Sequence, residues 1–289
     1  MVSAKTILFF AAAVSASVIG LEGREDAEHP EACGSAPYPD ELLEMTAFFK
    51  DEDAKLTNGS MSIAAAPAPG SSQVFIHVVS AQQSTFITDD MINRQFAMIR
   101  DEWKKHGWTM TLAGKSKTVN SNWATDKDQL NMKKKLRKGA YRDLNVYVID
   151  KIGTGGTTGY CYYPTSSHAT GGTNFYQDGC TIIRSTVPVS NDDKVKNGKG
   201  KTLIHEVGHW LGLKHVFEGG CDGAGDGIAD TPAQKDAYWT CAARDSCPGN
   251  AGSDPIHNYM GYTMGTCRTG FTKGQITRMK TIWKTVRAT

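Results

Sequence analysis

The pattern of hydrophobic and polar positions predicts a protein in which strands alternate with helices. Apolar, β-branched runs are typical of strands in a partly buried sheet. Four runs fit this description: 73–81 (QVFIHVVSA), 108–119 (WTMTLAGKSKTV), 144–152 (LNVYVIDKI) and 180–187 (CTIIRSTV). The stretch from 153 to 172 is rich in glycine, without a lysine after the glycines or a helical pattern, so we predict a loop rather than a phosphate-binding motif.

Helical spacing separates these runs. After Thr88, which can cap a helix, apolar residues recur at positions that share one helix face: Ile92, Phe96, Ile99 and Trp103. A more polar helical segment follows Asp126, and another helix is predicted to begin near Gly200. This order of elements predicts an α/β layer in which the last of these helices packs beneath a twisted sheet. An extended peptide could then pair with an exposed outer strand.

The C-terminal segment carries the signals of one further helix. Thr272 and Gln275 have the spacing of a capping box, and Phe271 and Ile276 have that of a hydrophobic staple. The apolar stripe that follows predicts a face buried in the core rather than a cofactor site. Its members are Ile276, Met279, Trp283 and Val286.

The candidate chemistry is concentrated in residues 205–215, which read HEVGHWLGLKH. On a helix, His205 and His209 lie on one face about one turn apart, so both imidazoles can bind one metal ion. Gly212 can adopt the left-handed conformation that ends a helix, which allows His215 to return as a third ligand. Three neutral imidazoles leave a tetrahedral Zn²⁺ with an open position, as is typical of catalytic zinc.

Glu206 is not needed as a ligand and lies beside the predicted metal. A carboxylate there can take a proton from the attacking water and later deliver it to the leaving amine. A zinc endopeptidase is therefore predicted. The alternatives are a catalytically silent, zinc-bearing secreted binding protein and a zinc hydrolase of non-peptide substrates. The presence of Glu206 favours catalysis, because a silent protein would be expected to lack it.

The extended pattern HExxHxxGxxH resembles the metzincin clan of zinc endopeptidases, which also carry a methionine turn beneath the metal. Residues 257–262 read HNYMGY, so Met260 matches that methionine and Tyr262 matches a metal-proximal tyrosine of some metzincin families. The strings GKTLIHEVGHWLGLKHVFEGGC, DTP, DPIHNYM and FTKGQITRM resemble the pappalysin family, in particular its secreted fungal metalloproteases. The resemblance runs from about residue 30 to the C-terminus. Relatives commonly have Asp where this chain has Gly261.

This resemblance implies a metzincin-like catalytic domain of the α/β class. A twisted mixed sheet would lie over the active-site helix and a zinc cleft, and an irregular, disulfide-pinned C-terminal subdomain would end in a helix. The resemblance also implies protein or peptide substrates, one Zn²⁺ on His205, His209 and His215, Glu206 as the base, and Tyr262 as a hydrogen-bond donor to the oxyanion.

The N-terminus predicts a targeting signal. A lone Lys5 precedes ILFFAAAVSASVIG, an apolar stretch too short to cross a bilayer and typical of a secretory signal. Small residues suit cleavage after Ala16 or Gly20. We therefore expect a secreted, extracellular protein.

A pro-segment is predicted after the signal. Residues 21–62 are acidic and polar, and 40–56 could form one amphipathic helix. AAAPAPGSS at 64–72 has the composition of a flexible linker that proteases cut. Asn58 begins a glycosylation sequon inside this segment. The predicted organisation is a signal peptide at 1–20, a pro-segment and linker at 21–70, and a catalytic domain at 71–289, with its upper part to about 215 and its lower part at 216–289.

The charge balance gives no support for nucleic-acid or membrane partners. The formal net charge is +2 in 289 residues, and no later stretch is long and apolar enough to span a membrane. The basic run KKKLRK at 133–138 lies in a helical-looking segment and is predicted to be a solvated helix face, with an anion site as the alternative. A monomer is favoured.

Seven cysteines in a secreted chain predict disulfides with one sulfur left over. Sequence alone allows many pairings of the six that lie in the predicted catalytic domain. The resemblance to pappalysins implies Cys221 with Cys247 and Cys241 with Cys267, which leaves Cys161 with Cys180.

Cys33 stands apart in the predicted pro-segment, within EACGSAPYPD. A thiolate is a good fourth ligand for Zn²⁺, and a thiolate in the open position would displace the catalytic water. Cys33 therefore resembles the cysteine-switch latch of some metzincin pro-segments. A dimer link or an unpaired thiol is the alternative.

Acidic residues accumulate among glycines between His215 and Cys241, without EF-hand spacing. Oxygen ligands on a loop suit Ca²⁺, and the resemblance implies calcium in this region. Asp226, Asp230 and Thr231 are the candidate ligands. Solvated surface carboxylates are the alternative.

Thr266 bears on specificity. It precedes the cysteine after the methionine turn, where some pappalysin relatives have an acidic residue that favours basic side chains after the cut. We therefore expect broad digestion of denatured or matrix-like proteins rather than a strong arginine preference.

Overall fold

The structure is a computed structural model that describes residues 32–35, 38–45, 48, 51, 70–192 and 198–288. The predicted signal peptide and Asn58 lie outside these residues. The strands are β1 (Ala32–Cys33), β2 (Ser71–Ser80), β3 (Thr109–Val119), β4 (Leu144–Ile149), β5 (Thr157–Cys161) and β6 (Cys180–Ile183). The helices are α1 (Asp40–Glu44), α2 (Asp89–Lys105), α3 (Gln129–Leu136), α4 (Thr173–Gln177), α5 (Lys201–Trp210) and α6 (Lys273–Ile282).

The six strands form one mixed sheet in the order β1-β5-β6-β4-β2-β3. β5 and β6 run antiparallel, and the other neighbouring strands run parallel. Every residue of β4 is buried, because a parallel strand inside a covered sheet meets neighbours on both faces. The predicted α/β class with a mixed sheet over the active-site helix is confirmed.

The glycine-rich stretch was predicted as a loop throughout, and this prediction is wrong at β5. Thr157–Cys161 pairs with β6 on one side and with β1 on the other. Glycine and threonine give this strand no hydrophobic pattern to detect, and the ladder with its neighbours overrides the weak local preference. The N-terminal segment of the chain pairs with β5 through strand β1.

Helix α2 begins where its cap residue predicts. The Thr88 side chain accepts a hydrogen bond from the backbone N–H of Met91 at 3.2 Å. The four apolar residues at helical spacing are buried in the main core, together with residues of β2, β4, α5 and α6. The core thus lies between the sheet and these three helices.

Helix α6 has the predicted capping box. The Thr272 hydroxyl accepts the backbone N–H of Gln275 at 3.1 Å, and the Gln275 Oε1 atom accepts the backbone N–H of Thr272 at 2.9 Å. Met279, Trp283 and Val286 are buried. This stripe fixes the C-terminal helix to the core, as predicted.

The basic run at 133–138 is solvated only in part: Lys134, Lys135 and Lys138 are exposed, but Lys133 and Arg137 are buried. Lys133 is 0% exposed, donates to the carbonyl oxygen of Gln177 at 2.7 Å and lies 4.5 Å from the Tyr162 ring centroid. Burial lowers the pKa of Lys133 to about 7. Arg137, the first residue after α3, pairs with buried Asp178 at 3.1 Å. The prediction is wrong for these two residues because carbonyl, carboxylate and aromatic partners compensate their burial.

The chain from 211 to 272 is irregular. It forms no helix or strand, although a bridge joins Asn258 to Gly270. Two disulfides lie within it, Cys221–Cys247 and Cys241–Cys267, and a third, Cys161–Cys180, joins β5 to β6. These are the pairs that the resemblance implies.

The N-terminal helix predicted for 40–56 is described only in part: α1 lies within it, Phe48 and Asp51 are helical, and most of the remainder lies outside the described residues. Helix α1 ends at Glu44, and Met45 packs beside a small buried cluster of Tyr141, Phe175, Ile282 and Val286. Among the described residues, no helix is long and apolar enough to cross a membrane.

Candidate metal centre

Helix α5 supplies the first two predicted ligands. Its residues from Thr202 to Trp210 are all buried between the sheet and the core. The helix ends at Trp210, and Gly212, two residues further on, has a φ of 87°, the left-handed conformation that glycine adopts freely. The N–H groups of Gly212 and Leu213 return to the carbonyl oxygens of His209 and Gly208 at 2.8 and 2.9 Å. This turn brings His215 back toward the helix, as the position of the glycine predicts.

The three histidines converge through their Nε2 atoms. Nε2 of His209 lies 3.1 Å from Nε2 of His205 and 3.1 Å from Nε2 of His215. The Nδ1 atoms of His205 and His209 lie 2.7 Å from the carbonyl oxygens of Tyr259 and Leu213. A carbonyl only accepts, so each of these Nδ1 atoms carries the proton and Nε2 keeps its lone pair.

This arrangement fits a zinc ion. Two Nε2 lone pairs that face each other cannot hydrogen-bond, whereas a cation between them satisfies both. Burial lowers the pKa of His209 to about 4 and is the main cause of the depressed pKa values of His205 and His215. All three imidazoles are therefore neutral, which is the form that binds metals.

Glu206 lies on the same helix and is fully buried. A Cβ atom at position 159 would stand 2.8 Å from Oε1 of Glu206, so Gly159 of β5 provides the room for this carboxylate. Burial raises the pKa of Glu206 to about 8. The glycine is a positioning residue that the sequence reading missed, and its signal was the one glycine inside the strand TTGYC.

Met260 lies directly under helix α5. Its Sδ atom occupies the space that a Cβ at Gly208 would take, so the glycine inside HEVGH permits the close approach. Met260 is 0% exposed. The structure thus places Met260 where the methionine turn of the sequence resemblance puts it.

Tyr262 lies next to two of the histidines. Its ring centroid is 4.9 Å from that of His215 and 5.7 Å from that of His205. Its hydroxyl accepts the backbone N–H of Cys33 at 3.1 Å and lies 3.3 Å from the carbonyl oxygen of Cys33, to which it can donate. The hydroxyl is therefore held by the N-terminal segment.

Cys33 enters the same cluster from strand β1. Its Sγ atom and one ligand atom from each of His205, His209 and His215 all lie within 4.8 Å of one another. Sγ is also 3.5 Å from Oε2 of Glu206, and burial is the main cause of a raised pKa of the thiol. The structure brings the predicted ligands, the predicted base and the predicted latch into one site.

Tyr163 is a site residue that sequence reasoning missed. Its hydroxyl is 3.1 Å from Nδ1 of His209, and its ring stands edge-on to that imidazole at 5.4 Å. Tyr163 is part of the YCYYP run, in which three tyrosines gave no signal to distinguish one from the others. It borders the metal cluster on the side of the Gly212 turn.

The three candidate calcium ligands line a separate cavity of about 340 Å³. Oδ1 of Asp226 accepts the N–H of Ile228 at 2.9 Å, and Oδ2 of Asp230 accepts the N–H of Gly274 at 2.9 Å. Oδ2 of Asp226 and the Thr231 hydroxyl are buried next to each other at this cavity. Burial raises the pKa of Asp226 to about 7.

The fold and the site together define a metalloprotease of the metzincin type. The structure superimposes on mirolysin in complex with compound 9 with a TM-score of 0.63 and 26% identity, covering 75% of this chain and 93% of that chain. A promirolysin mutant of Tannerella forsythia has the same fold, with a TM-score of 0.64, 23% identity and coverage of 88% and 94%.

Sequence relatives narrow the class to a family. Residues 127–284 match the peptidase M43 family, described as pregnancy-associated plasma protein-A. An extracellular metalloprotease of Podospora anserina is 44% identical over 267 residues, which cover 88% of this chain and 89% of the relative. Another, of Sordaria macrospora, is 42% identical over 98% of both chains. The chain belongs to the peptidase M43, or pappalysin, family of zinc metalloproteases, and its relatives' names support secretion.

Proposed function

We propose that the protein is a secreted zinc endopeptidase made as a latent precursor, in which Glu206 is the general base and Cys33 is the latch. One observation carries this proposal: the Cys33 sulfur lies within 4.8 Å of a ligand atom from each of the three histidines. A thiol from the N-terminal segment thus stands where a fourth metal ligand belongs.

The catalytic roles follow from the positions of the side chains. His205, His209 and His215 would hold Zn²⁺, which when bound polarises the scissile carbonyl and lowers the pKa of the attacking water. Glu206, next to His205 on α5, faces the position of the Cys33 sulfur at 3.5 Å. With Cys33 withdrawn, its carboxylate takes the proton of a water in that position and later protonates the leaving amine. Tyr262 would donate a hydrogen bond to the oxyanion that develops as the water attacks, before the leaving amine is protonated.

Latency would rest on more than the thiol. Strand β1 pairs with β5 and so occupies the sheet edge that an extended peptide would use. The backbone of Cys33 also engages the Tyr262 hydroxyl through both its N–H and its carbonyl group. The N-terminal segment therefore covers the metal position, the oxyanion donor and the substrate edge together. Removal of residues up to about 70 would release all three.

Calcium is a further part of the proposal. Asp226, Asp230 and Thr231 line one cavity and offer oxygen atoms only, which suits Ca²⁺. The buried Oδ2 atom of Asp226 supports this assignment, because a buried carboxylate oxygen gains most from a cation. Calorimetric titration of the full-length chain with Ca²⁺, compared with Asp226→Asn, tests it. Equal binding by both proteins would contradict the assignment.

The role of Glu206 is tested by Glu206→Gln in the activated enzyme. The amide cannot accept the proton, so casein hydrolysis is expected to fall about a thousandfold or more while zinc content stays near one equivalent per chain. Activity and metal analysis are measured on the same sample. Glu218→Gln, at an exposed carboxylate, is the matched control. Near wild-type hydrolysis by Glu206→Gln would contradict the mechanism.

The latch is tested by Cys33→Ser in the full-length precursor. Loss of the thiol raises the fraction of molecules with an open site, so peptidase activity of the uncleaved chain is expected to rise about tenfold or more. Gel analysis must show that the chain remains intact. Ser35→Ala keeps the thiol and serves as the control for disturbance of the same segment. A Cys33→Ser precursor as latent as the wild type would refute the latch.

A further inference from the structure

Tyr38 of the N-terminal segment sits in a cradle built by residues beside the metal cluster. Its ring lies 4.9 Å from the Tyr163 ring, edge to face, and its hydroxyl donates to the carbonyl oxygen of Gly212 at 3.1 Å. The ammonium of Lys214 stands 4.5 Å from the Tyr38 ring centroid. We call Tyr163, Gly212 and Lys214 the tyrosine cradle.

The cradle does not depend on the N-terminal segment for its shape. Gly212 is fixed by the left-handed turn that ends α5, and Lys214 lies between that turn and His215. Tyr163 is 9% exposed and is held from its other side by the contact of its hydroxyl with His209. All three residues belong to the framework of the metal site, so the cradle persists when the segment leaves.

The chemistry of the cradle matches a phenol. The edge-to-face contact and the ammonium over the ring both favour an aromatic side chain. The carbonyl oxygen of Gly212 needs a donor, which tyrosine has and phenylalanine lacks. Burial raises the pKa of Tyr38 to about 12, against the opposing charge of nearby Arg278, so a tyrosine here stays protonated and donates.

The cradle also lies on the path of a peptide bound at the sheet edge. Strand β1 pairs with β5, and Tyr38 follows Cys33 by five positions in the chain. Tyr163 follows Cys161, the last residue of β5, by two positions. A substrate that adds to β5 therefore passes the cradle a few residues away from the metal.

We propose that the tyrosine cradle is a substrate subsite, which binds a tyrosine side chain located a few residues from the scissile bond and is filled by Tyr38 in the precursor. This inference rests on the proposed peptidase function. It adds a secondary preference to an otherwise broad cleavage pattern, because the cradle is distant from the bond that is cut. The N-terminal segment then imitates the substrate through a side chain as well as through its backbone.

The test uses the full-length chain after activation and a peptide with one cleavable bond. Tyrosine, phenylalanine or alanine is placed at each position in turn on both sides of that bond. At one position, kcat/KM is expected to be on the order of thirtyfold higher for tyrosine than for alanine, and roughly fivefold higher than for phenylalanine. The position found also reports the direction in which substrates run along β5.

The variant Lys214→Met tests whether the tyrosine preference depends on the tyrosine cradle. The change keeps the length of the side chain and removes the cation, so the tyrosine-to-alanine ratio of kcat/KM is expected to fall about threefold. Lys134→Met, at an exposed lysine of α3, should leave the ratio as it is in the wild type.

If Lys214→Met does not fold, peptides spanning residues 30–46 serve as inhibitors of the wild-type enzyme. Replacing Tyr38 by Phe should raise their inhibition constant about fivefold.

The outcomes separate this inference from the function on which it rests. Hydrolysis of the peptides with a tyrosine preference that falls in Lys214→Met supports the subsite. Hydrolysis at equal rates with all three residues at every position overturns the subsite and leaves the peptidase function intact. A tyrosine preference that is unchanged in Lys214→Met also overturns it. If the enzyme hydrolyses neither the peptides nor casein, both the subsite and the peptidase function are overturned.

Discussion

Two regions of the molecule build the same metal site by different means. The sheet region, residues 70–210, contributes His205, His209 and Glu206 from a helix buried in a large apolar cluster. The loop region, residues 211–272, contributes His215, Met260 and Tyr262 from chain without regular elements, cross-linked by two disulfides. The sheet region is held mainly by burial of apolar surface, whereas the loop region adds two covalent links and a series of turns to the apolar residues that it contributes to the same core.

The difference shows how a short irregular segment can hold catalytic groups in place. Apolar burial stabilises the folded state directly, whereas a disulfide acts mainly by restricting the unfolded chain. In the loop region, Asp254 adds local order by accepting the N–H and the hydroxyl of Ser246, both at 2.8 Å. The two regions should therefore respond differently to perturbation.

The largest effect is expected from a cavity in the sheet region. Ile99→Ala removes a fully buried side chain from the main core and is expected to lower the free energy of unfolding by about 3 to 4 kcal/mol. Urea unfolding followed by tryptophan fluorescence measures it. Because the core is shared, the metal site should be lost in the same transition. Arg100→Ala, at an exposed residue of the same helix, should change stability by less than about 0.5 kcal/mol.

A somewhat smaller, local effect is expected from the loop region. Replacing both Cys221 and Cys247 by Ser opens a link between residues 26 apart and is expected to cost about 3 kcal/mol. Hydrogen exchange should rise in residues 216–250 while the amides of β4 stay protected. Equal loss of protection in both regions would show that the regions are not separately stabilised.

The smallest effect in this series concerns pH and the sheet region alone. His77 is buried, with Nδ1 2.8 Å from the Ser116 hydroxyl and Nε2 3.0 Å from Oδ1 of Asn145, and burial lowers its pKa to about 4. The unfolded chain, with a pKa of about 6.5, binds the proton first as pH falls. The contribution of neutral His77 to the free energy of unfolding is therefore complete above about pH 6.5 and is lost as the pH falls toward 4.

The pH effect is measured by urea unfolding at about pH 7 and pH 5. The wild type is expected to lose about 2 kcal/mol more than His77→Gln between these values, because glutamine does not titrate. An identical loss in both proteins would mean that other groups dominate the acid sensitivity.

The sequence predicted the parts of the structure in which local pattern and tertiary environment agree. The apolar runs became β2, β3, β4 and β6, and the cap at Thr88 and the capping box at Thr272 began helices as expected. The ligand motif was readable because its spacing is fixed by the geometry of one helix and one turn. The α/β class therefore followed from the residues themselves.

The remaining parts depend on contacts between distant segments, which local patterns do not encode. Strand β5 is a strand because β1 and β6 flank it, and Lys133 is buried because tyrosine rings and a carbonyl group surround it. Tyr163 and Tyr38 meet across the chain beside the Gly212 turn. No periodicity or spacing marks such a pair in advance.

The pairing of edge strand β1 with β5 has a kinetic consequence. β1 belongs to the same chain as β5, so under the proposed latency the N-terminal segment would act at an effective concentration set by its tether, on the order of millimolar. A cut in the linker near residue 70 would break that tether without altering any contact in the site. Once released into a large extracellular volume, the segment would be diluted far below this concentration. Activation of this kind would need no change in the affinity of the segment for the site. Dilution of the released segment alone would make it irreversible.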